Sequence, residues 1–197
     1  MARKERVSKG KTMRPNYFVF CEGETEVVYT EMLRSQYRLP IHIIAKKTLQ
    51  NVTSALVERC KAVYVQTVSD KTYLMYDLDV TDMLERLQKV SGAEFLCSNP
   101  CFELWLLLHY DGVKAAITSA ECAKKLSAAA KQYKKGTLSD EMIKHLYENA
   151  DKAIKRAKDL QIYGNPSTTV YLLIEELNRL KKEEVEAELM RSRGKMA

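Results

Sequence analysis

YFVFC at residues 17–21 is an unbroken apolar run, closed by Glu22 and Gly23. A short run of that kind, with no polar residue on either side of the alternation, reads as a strand buried on both faces. Beyond Gly23 the pattern changes period. Val27, Val28, Met32 and Leu33 recur on one face of a helix that starts near Thr25. Pro40 ends this segment, and IHIIA at 41–45 gives a second strand.

The same alternation continues. Val52, Leu56, Cys60 and Val63 mark an amphipathic helix over 52–66, YLMYDL at 73–78 is a third strand, 81–90 is helical, and EFLC at 94–97 is a fourth strand. Strands alternating with helices across short connections predict a compact, mostly parallel sheet with helices on both faces. The α/β domain so defined covers residues 16–112. Residues 113–197 predict a mainly helical region packing on it, with helices over 119–134 and 139–160. Gly164, Asn165 and Pro166 then break the chain. Ser167 is the expected N-cap of a last helix reaching Arg191, with Val170, Leu173, Ile174, Leu177 and Leu180 as its apolar stripe. Beyond Leu180 this helix is nearly all charge. Its apolar stripe is also the element that can serve a homo-oligomer.

A chain of 197 residues that is 46% apolar and 29% charged is long enough for one substantial core. With only 7 Gly and 4 Pro, a collagen-like or disordered chain is excluded. No apolar run reaches the ~20 residues a membrane span needs, and the first residues lack the apolar core of a secretory signal. The expectation is a cytoplasmic protein. The net charge of +6 is concentrated at the start: Arg3, Lys4, Arg6, Lys9, Lys11 and Arg14 face the single acid Glu5, making 1–15 a basic arm that can meet phosphate backbones. Cys21, Cys60, Cys97, Cys101 and Cys122 are odd in number and scattered, so they read as reduced thiols and not as a disulfide framework.

The chemistry lies at strand ends. Glu22 follows the first strand within CEGETE, and Asp77 and Asp79 close the third within YDLDV. Strands of a parallel sheet open their carboxyl ends on one edge, where such folds place ligands. Acids brought together there repel one another, and a hard divalent cation with oxygen ligands neutralises them. Two or three carboxylates suffice for Mg2+ or Mn2+, which can activate water against a phosphodiester. The blander reading of Asp79 is a cap for the helix that follows.

The pattern of a strand-end Glu followed by Asp-x-Asp resembles the Toprim domain of topoisomerases, bacterial primases and overcoming-lysogenization-defect (OLD) nucleases. FCEGETEVVYTEML (20–33), SNPCFELWLLLHY (98–110) and NPSTTVYLLIEEL (165–177) resemble the RloB family over residues 17–180. The resemblance implies a Toprim-like fold and a role in phage defence by abortive infection, with an RloA-like AAA ATPase as partner. It also implies Glu22 as acid/base or metal ligand, and Asp77 and Asp79 as ligands. The chain has no GxxxxGK[ST], so ATP use would belong to the partner.

Glu26, one turn beyond Glu22, and Glu103, in the apolar helix over 102–110 that Pro100 opens, are the further candidate catalytic carboxylates. Asn99 is the expected cap of that helix, and His109 its C-terminal cation. Lys124, Lys125, Lys131, Lys134 and Lys135 fall in one helical region and can form a nucleic-acid-binding face. The function these residues point to is a metal-dependent nuclease. The alternatives are a non-catalytic Toprim-scaffold subunit and a nucleotidyl-transfer enzyme.

Overall fold

A computed structural model of the chain describes residues 13–49, 52–131 and 133–193. Residues 1–12 of the basic arm therefore lie outside the described residues. Along the first half, β1 (Asn16–Cys21), α1 (Glu24–Tyr37), β2 (His42–Lys47), α2 (Ser54–Lys61), β3 (Lys71–Asp77), α3 (Met83–Gln88) and β4 (Glu94–Asn99) alternate as the pattern predicts. The strands lie in the order β2-β1-β3-β4-β5, and the first four are parallel.

All six residues of β1 are buried because each face of the sheet is covered by its own core. Tyr17, Val19, Cys21, Tyr73, Met75 and Leu96 enter the larger core with α1 and the C-terminal helices. Phe18, Phe20, Leu74, Tyr76 and Cys97 enter the smaller one, closed by Val57 of α2 and by Met83 and Leu87 of α3. Alternate side chains of one strand go to opposite faces, so an unbroken apolar run is what a centrally placed strand requires.

α4 (Glu103–Leu107) is too short to persist in water by itself. It is fixed by burial, since Leu104, Trp105 and Leu106 are all fully enclosed and each such side chain is worth ~1.5–3 kcal/mol. α5 (Ser119–Ala129), α6 (Asp140–Glu148), α7 (Ala150–Lys158) and α8 (Tyr171–Arg193) complete the helical part. Their Cys122, Leu126, Met142, Leu146, Ala153, Leu173 and Leu177 belong to the same larger core as β1 and α1. Val170 and the stripe of α8 from Leu173 to Leu177 thus pack inside their own chain. All five cysteines are free, and Cys21, Cys97, Cys101 and Cys122 are buried. Among the described residues no helix is long and apolar enough to cross a membrane.

Several elements differ from the sequence reading. Thr53 caps α2, accepting from the Leu56 N–H at 3.2 Å, and the helix stops at Lys61, which leaves Val63 78% exposed instead of on an apolar stripe. The stretch 119–134 is helical only to Ala129, and Lys134 then bridges Thr137 in a tight turn. Residues 139–160 form two helices that meet at Asn149, whose backbone leaves the helical region at φ −112°, ψ 14° and whose side chain donates to the His145 carbonyl at 3.0 Å. Pro100 follows Asn99 in cis, and the helix begins only at Glu103. Ser167 is no helix cap. Ser167–Thr168 form β5, antiparallel to β4, and α8 starts at Tyr171.

Candidate carboxylate site at the carboxyl edge of the sheet

β1 and β3 are parallel neighbours whose register pairs Cys21 with Met75. That register sets Glu22 beside Asp77 just past the ladder. The Glu22 N–H donates to the Met75 carbonyl and the Asp77 N–H donates to Glu22 Oε2, both at 3.1 Å. Asp77 Oδ1 accepts the Phe102 N–H at 2.8 Å, so Asp77 holds the start of α4. Asn99 does not cap that helix; its amide donates to the Tyr163 carbonyl at 3.3 Å.

Glu26 lies in the first turn of α1 and is only 4% exposed. It folds back over Gly23, where a Cβ would stand 2.9 Å from Glu26 Oε2. Any side chain at Gly23 would make the Glu26 carboxylate shift from its buried place, while the φ of −120° is open to any residue. Glu103, 5% exposed, accepts from the Tyr133 hydroxyl at 2.9 Å. Asp79 is exposed and makes no cap bond to α3, whose N-cap position is Asp82 with no side-chain bond.

Two clefts meet at Lys135. One, of ≈ 290 Å³, is lined by Asp77, Asp79, Cys101, Glu103, Tyr133 and residues of α5; the other, of ≈ 770 Å³, is lined by Glu22, Gly23, Glu24, Lys47 and Gly136. The turn carrying Lys135 is docked by the Gly136 N–H donating to Thr25 Oγ1 at 2.9 Å, with Gly136 at φ +81°. Of the five candidate lysines, Lys135 alone lines these clefts. Lys124 and Lys125 on α5, with Lys131 and Lys134 beyond it, are exposed.

The acids act on one another. Burial first, and then Glu26, push the Asp77 carboxyl well above the ordinary carboxylate range, with Cys101, Glu22 and Glu103 adding to the rise. Burial raises Glu26 to about 7, with Glu103 and Glu22 adding to it. The same acids, Glu103 foremost, hold the Lys135 ammonium charged. Among the described residues no three His, Cys, Asp or Glu side chains form a ready-made metal site; Glu22 and Asp77 each accept a backbone N–H on one carboxylate oxygen. The donors are all carboxylate oxygens, the ligand type that hard cations such as magnesium or manganese take, and their mutual repulsion is of the kind a cation would relieve.

The structure brings Glu22, Glu26, Asp77 and Glu103 within reach of one another's charge at the carboxyl edge of the sheet, whereas Asp79 is exposed and shares only the smaller cleft with Asp77 and Glu103. No local signal in the sequence marks Tyr133, since its partner Glu103 lies thirty positions earlier. The place of Lys135 among the acids, apart from the basic helical face the sequence predicts, follows only from the folded turn.

Fold and site define an α/β protein with a mostly parallel sheet and acidic residues at its carboxyl edge. The chain belongs to the RloB-like protein family, whose profile matches residues 17–177, from β1 to the last fully buried turn of α8. No curated protein and no solved structure matches it.

Proposed function

We propose that this protein is a metal-dependent nuclease of the Toprim type that hydrolyses phosphodiesters of DNA or RNA in phage defence, with an RloA-like AAA ATPase as partner. The observation that carries the reading is the meeting of Glu22, Glu26, Asp77 and Glu103 at one sheet edge, where their charges oppose one another. Acids kept in so costly an arrangement have a cation or a proton as their working partner.

Glu22, Asp77 and Asp79 would hold Mg2+ or Mn2+, which when bound polarises a phosphoryl oxygen and lowers the pKa of water. Glu26, titrating near 7, can take or return a proton at neutral pH. Glu103, oriented by the Tyr133 hydroxyl, faces the same cleft. Lys135 stands where the two clefts join and would meet a phosphate of the substrate, while the exposed Lys124, Lys125, Lys131 and Lys134 would add to the field along the backbone.

Purified protein is incubated with plasmid, single-stranded DNA and tRNA in magnesium, manganese or EDTA, alone and with the ATPase partner. Metal-dependent cleavage that an Asp77→Ala variant loses, by about 10² or more in rate, supports the proposal. Cellular toxicity that survives intact in Asp77→Ala, with the variant's fold verified by melting, overturns it in favour of a non-catalytic scaffold, and cleavage that survives there overturns the carboxylate site as its source.

A further inference from the structure

β2 is the outermost strand on the side away from β5. The His42 N–H donates to the Pro15 carbonyl and the Thr48 N–H to the Cys21 carbonyl, so the even-numbered residues of β2 turn their backbone groups towards β1. Ile43, Ala45 and Lys47 consequently turn theirs outward, and among the described residues no strand meets them. Such an edge is a template for another strand.

The edge lies in a groove of ≈ 1050 Å³. Arg34 of α1 forms one wall and Tyr64 with Val65 the other. These walls stand on opposite faces of the sheet, because Tyr64 packs edge-on against Phe18 at 5.4 Å in the smaller core. A strand laid against β2 would therefore put alternate side chains against α1 and against Tyr64. Val65 is 70% exposed, and Val63 and Val68 near it in the chain are 78% and 107% exposed, so the second wall offers apolar surface. The groove also carries Arg14, His42 and Lys46, while its acid, Glu31, is already paired with Arg34.

We propose that this edge receives an extended, acidic segment of a partner protein, which adds to the sheet as a sixth strand through Ile43, Ala45 and Lys47. The outward N–H and C=O groups alternate. A peptide strand satisfies both kinds, whereas a phosphate backbone offers acceptors only and leaves the carbonyls unmatched. Self-pairing of two β2 edges would set His42, Lys46 and Lys47 against their own copies. The chain's own residues 1–12 carry Arg3, Lys4, Arg6, Lys9 and Lys11 against Glu5, the same sign as the groove. An acidic strand from another protein is the occupant whose charge and backbone both match. The inference is independent of the carboxylate site.

The probe is a blocked, fluorescein-labelled peptide of alternating Glu and Val, about eight residues long to match a strand of this length. Its binding to the full chain is read by anisotropy at low salt. An alternating Lys–Val peptide and a Glu–Val peptide N-methylated at alternate residues should bind at least about tenfold more weakly. Ala45→Pro removes an N–H that makes no bond within the sheet, so melting should hold while affinity falls by about the same factor. Lys46→Glu, which leaves the backbone untouched, should reverse the preference between the Glu–Val and Lys–Val peptides.

Equal binding of the N-methylated peptide overturns the proposal, as does undiminished binding by a folded Ala45→Pro protein. A single-stranded oligonucleotide that displaces the peptide and is indifferent to Ala45→Pro overturns it in favour of a phosphate surface. A wild-type dimer that Ala45→Pro dissolves overturns it in favour of a second copy of this chain.

Discussion

His109 shows how burial outranks a local electrostatic preference. At the end of the α4 segment a histidine would ordinarily carry charge against the helix dipole. Here it is 3% exposed, its Nδ1–H donates to the Trp105 carbonyl at 2.9 Å, and its ring stands edge-on to Trp105 at 4.7 Å. Burial brings its pKa down from 6.5 to about 4, with small contributions from His145 and Arg156. Between those values the unfolded chain binds a proton that the folded chain refuses. The stabilisation is therefore full above pH 6.5 and is lost as pH falls towards 4, by roughly 3 kcal/mol in all. Urea unfolding of the wild type and of His109→Asn checks this. The stability gap between them should shrink by about 2–3 kcal/mol from pH 7 to pH 4.5, and a gap that stays constant would show that His109 is not held neutral.

Among the elements, β5 does more than its length suggests. It is only two residues long, and the hydroxyls around it do the joining. Thr169 Oγ1 accepts the Cys97 N–H and donates to the Phe95 carbonyl, both at 2.8 Å, and Thr168 meets Ser98 at 2.9 Å. These bonds close the β4 side of the sheet and set the point from which α8 leaves. Thr169→Val keeps the shape and leaves a buried amide and a part-buried carbonyl unpaired, so it should cost roughly 1–3 kcal/mol in denaturant unfolding. A loss under about 0.5 kcal/mol would mean that water replaces the hydroxyl there.

The whole molecule has two cores of unequal size on one sheet, and the larger one unites both halves of the chain. α8 is where this organisation ends. Leu177 is fully buried, whereas Val185, Leu189 and Met190 are 44%, 54% and 75% exposed, and the helix beyond Leu180 is held by surface pairs such as Arg179–Glu183 and Lys181–Glu184. Ending the chain after Lys181 should therefore cost less than about 1 kcal/mol, while Leu177→Ala should cost roughly 2–5 kcal/mol. Thermal unfolding of both variants checks the contrast, and comparable losses would mean that the end of α8 is packed in solution.

The sequence by itself determined the parallel order of strands and helices and the strand-end positions of Glu22, Asp77 and Asp79. Both follow from period and polarity, which neighbouring residues carry. It also singled out Glu26 and Glu103 as further acids, but not how they are held. Only the tertiary structure decided that Asp77 starts α4 in place of Asn99, that Gly23 makes room for Glu26, and that Tyr133 and Lys135 close on Glu103. It likewise turned Ser167 from a helix cap into a strand residue, paired with Asn99 along the open edge of β4. Contacts between residues thirty or seventy positions apart leave no periodic trace, since they depend on which groups the packed core leaves unsatisfied and near enough to pair.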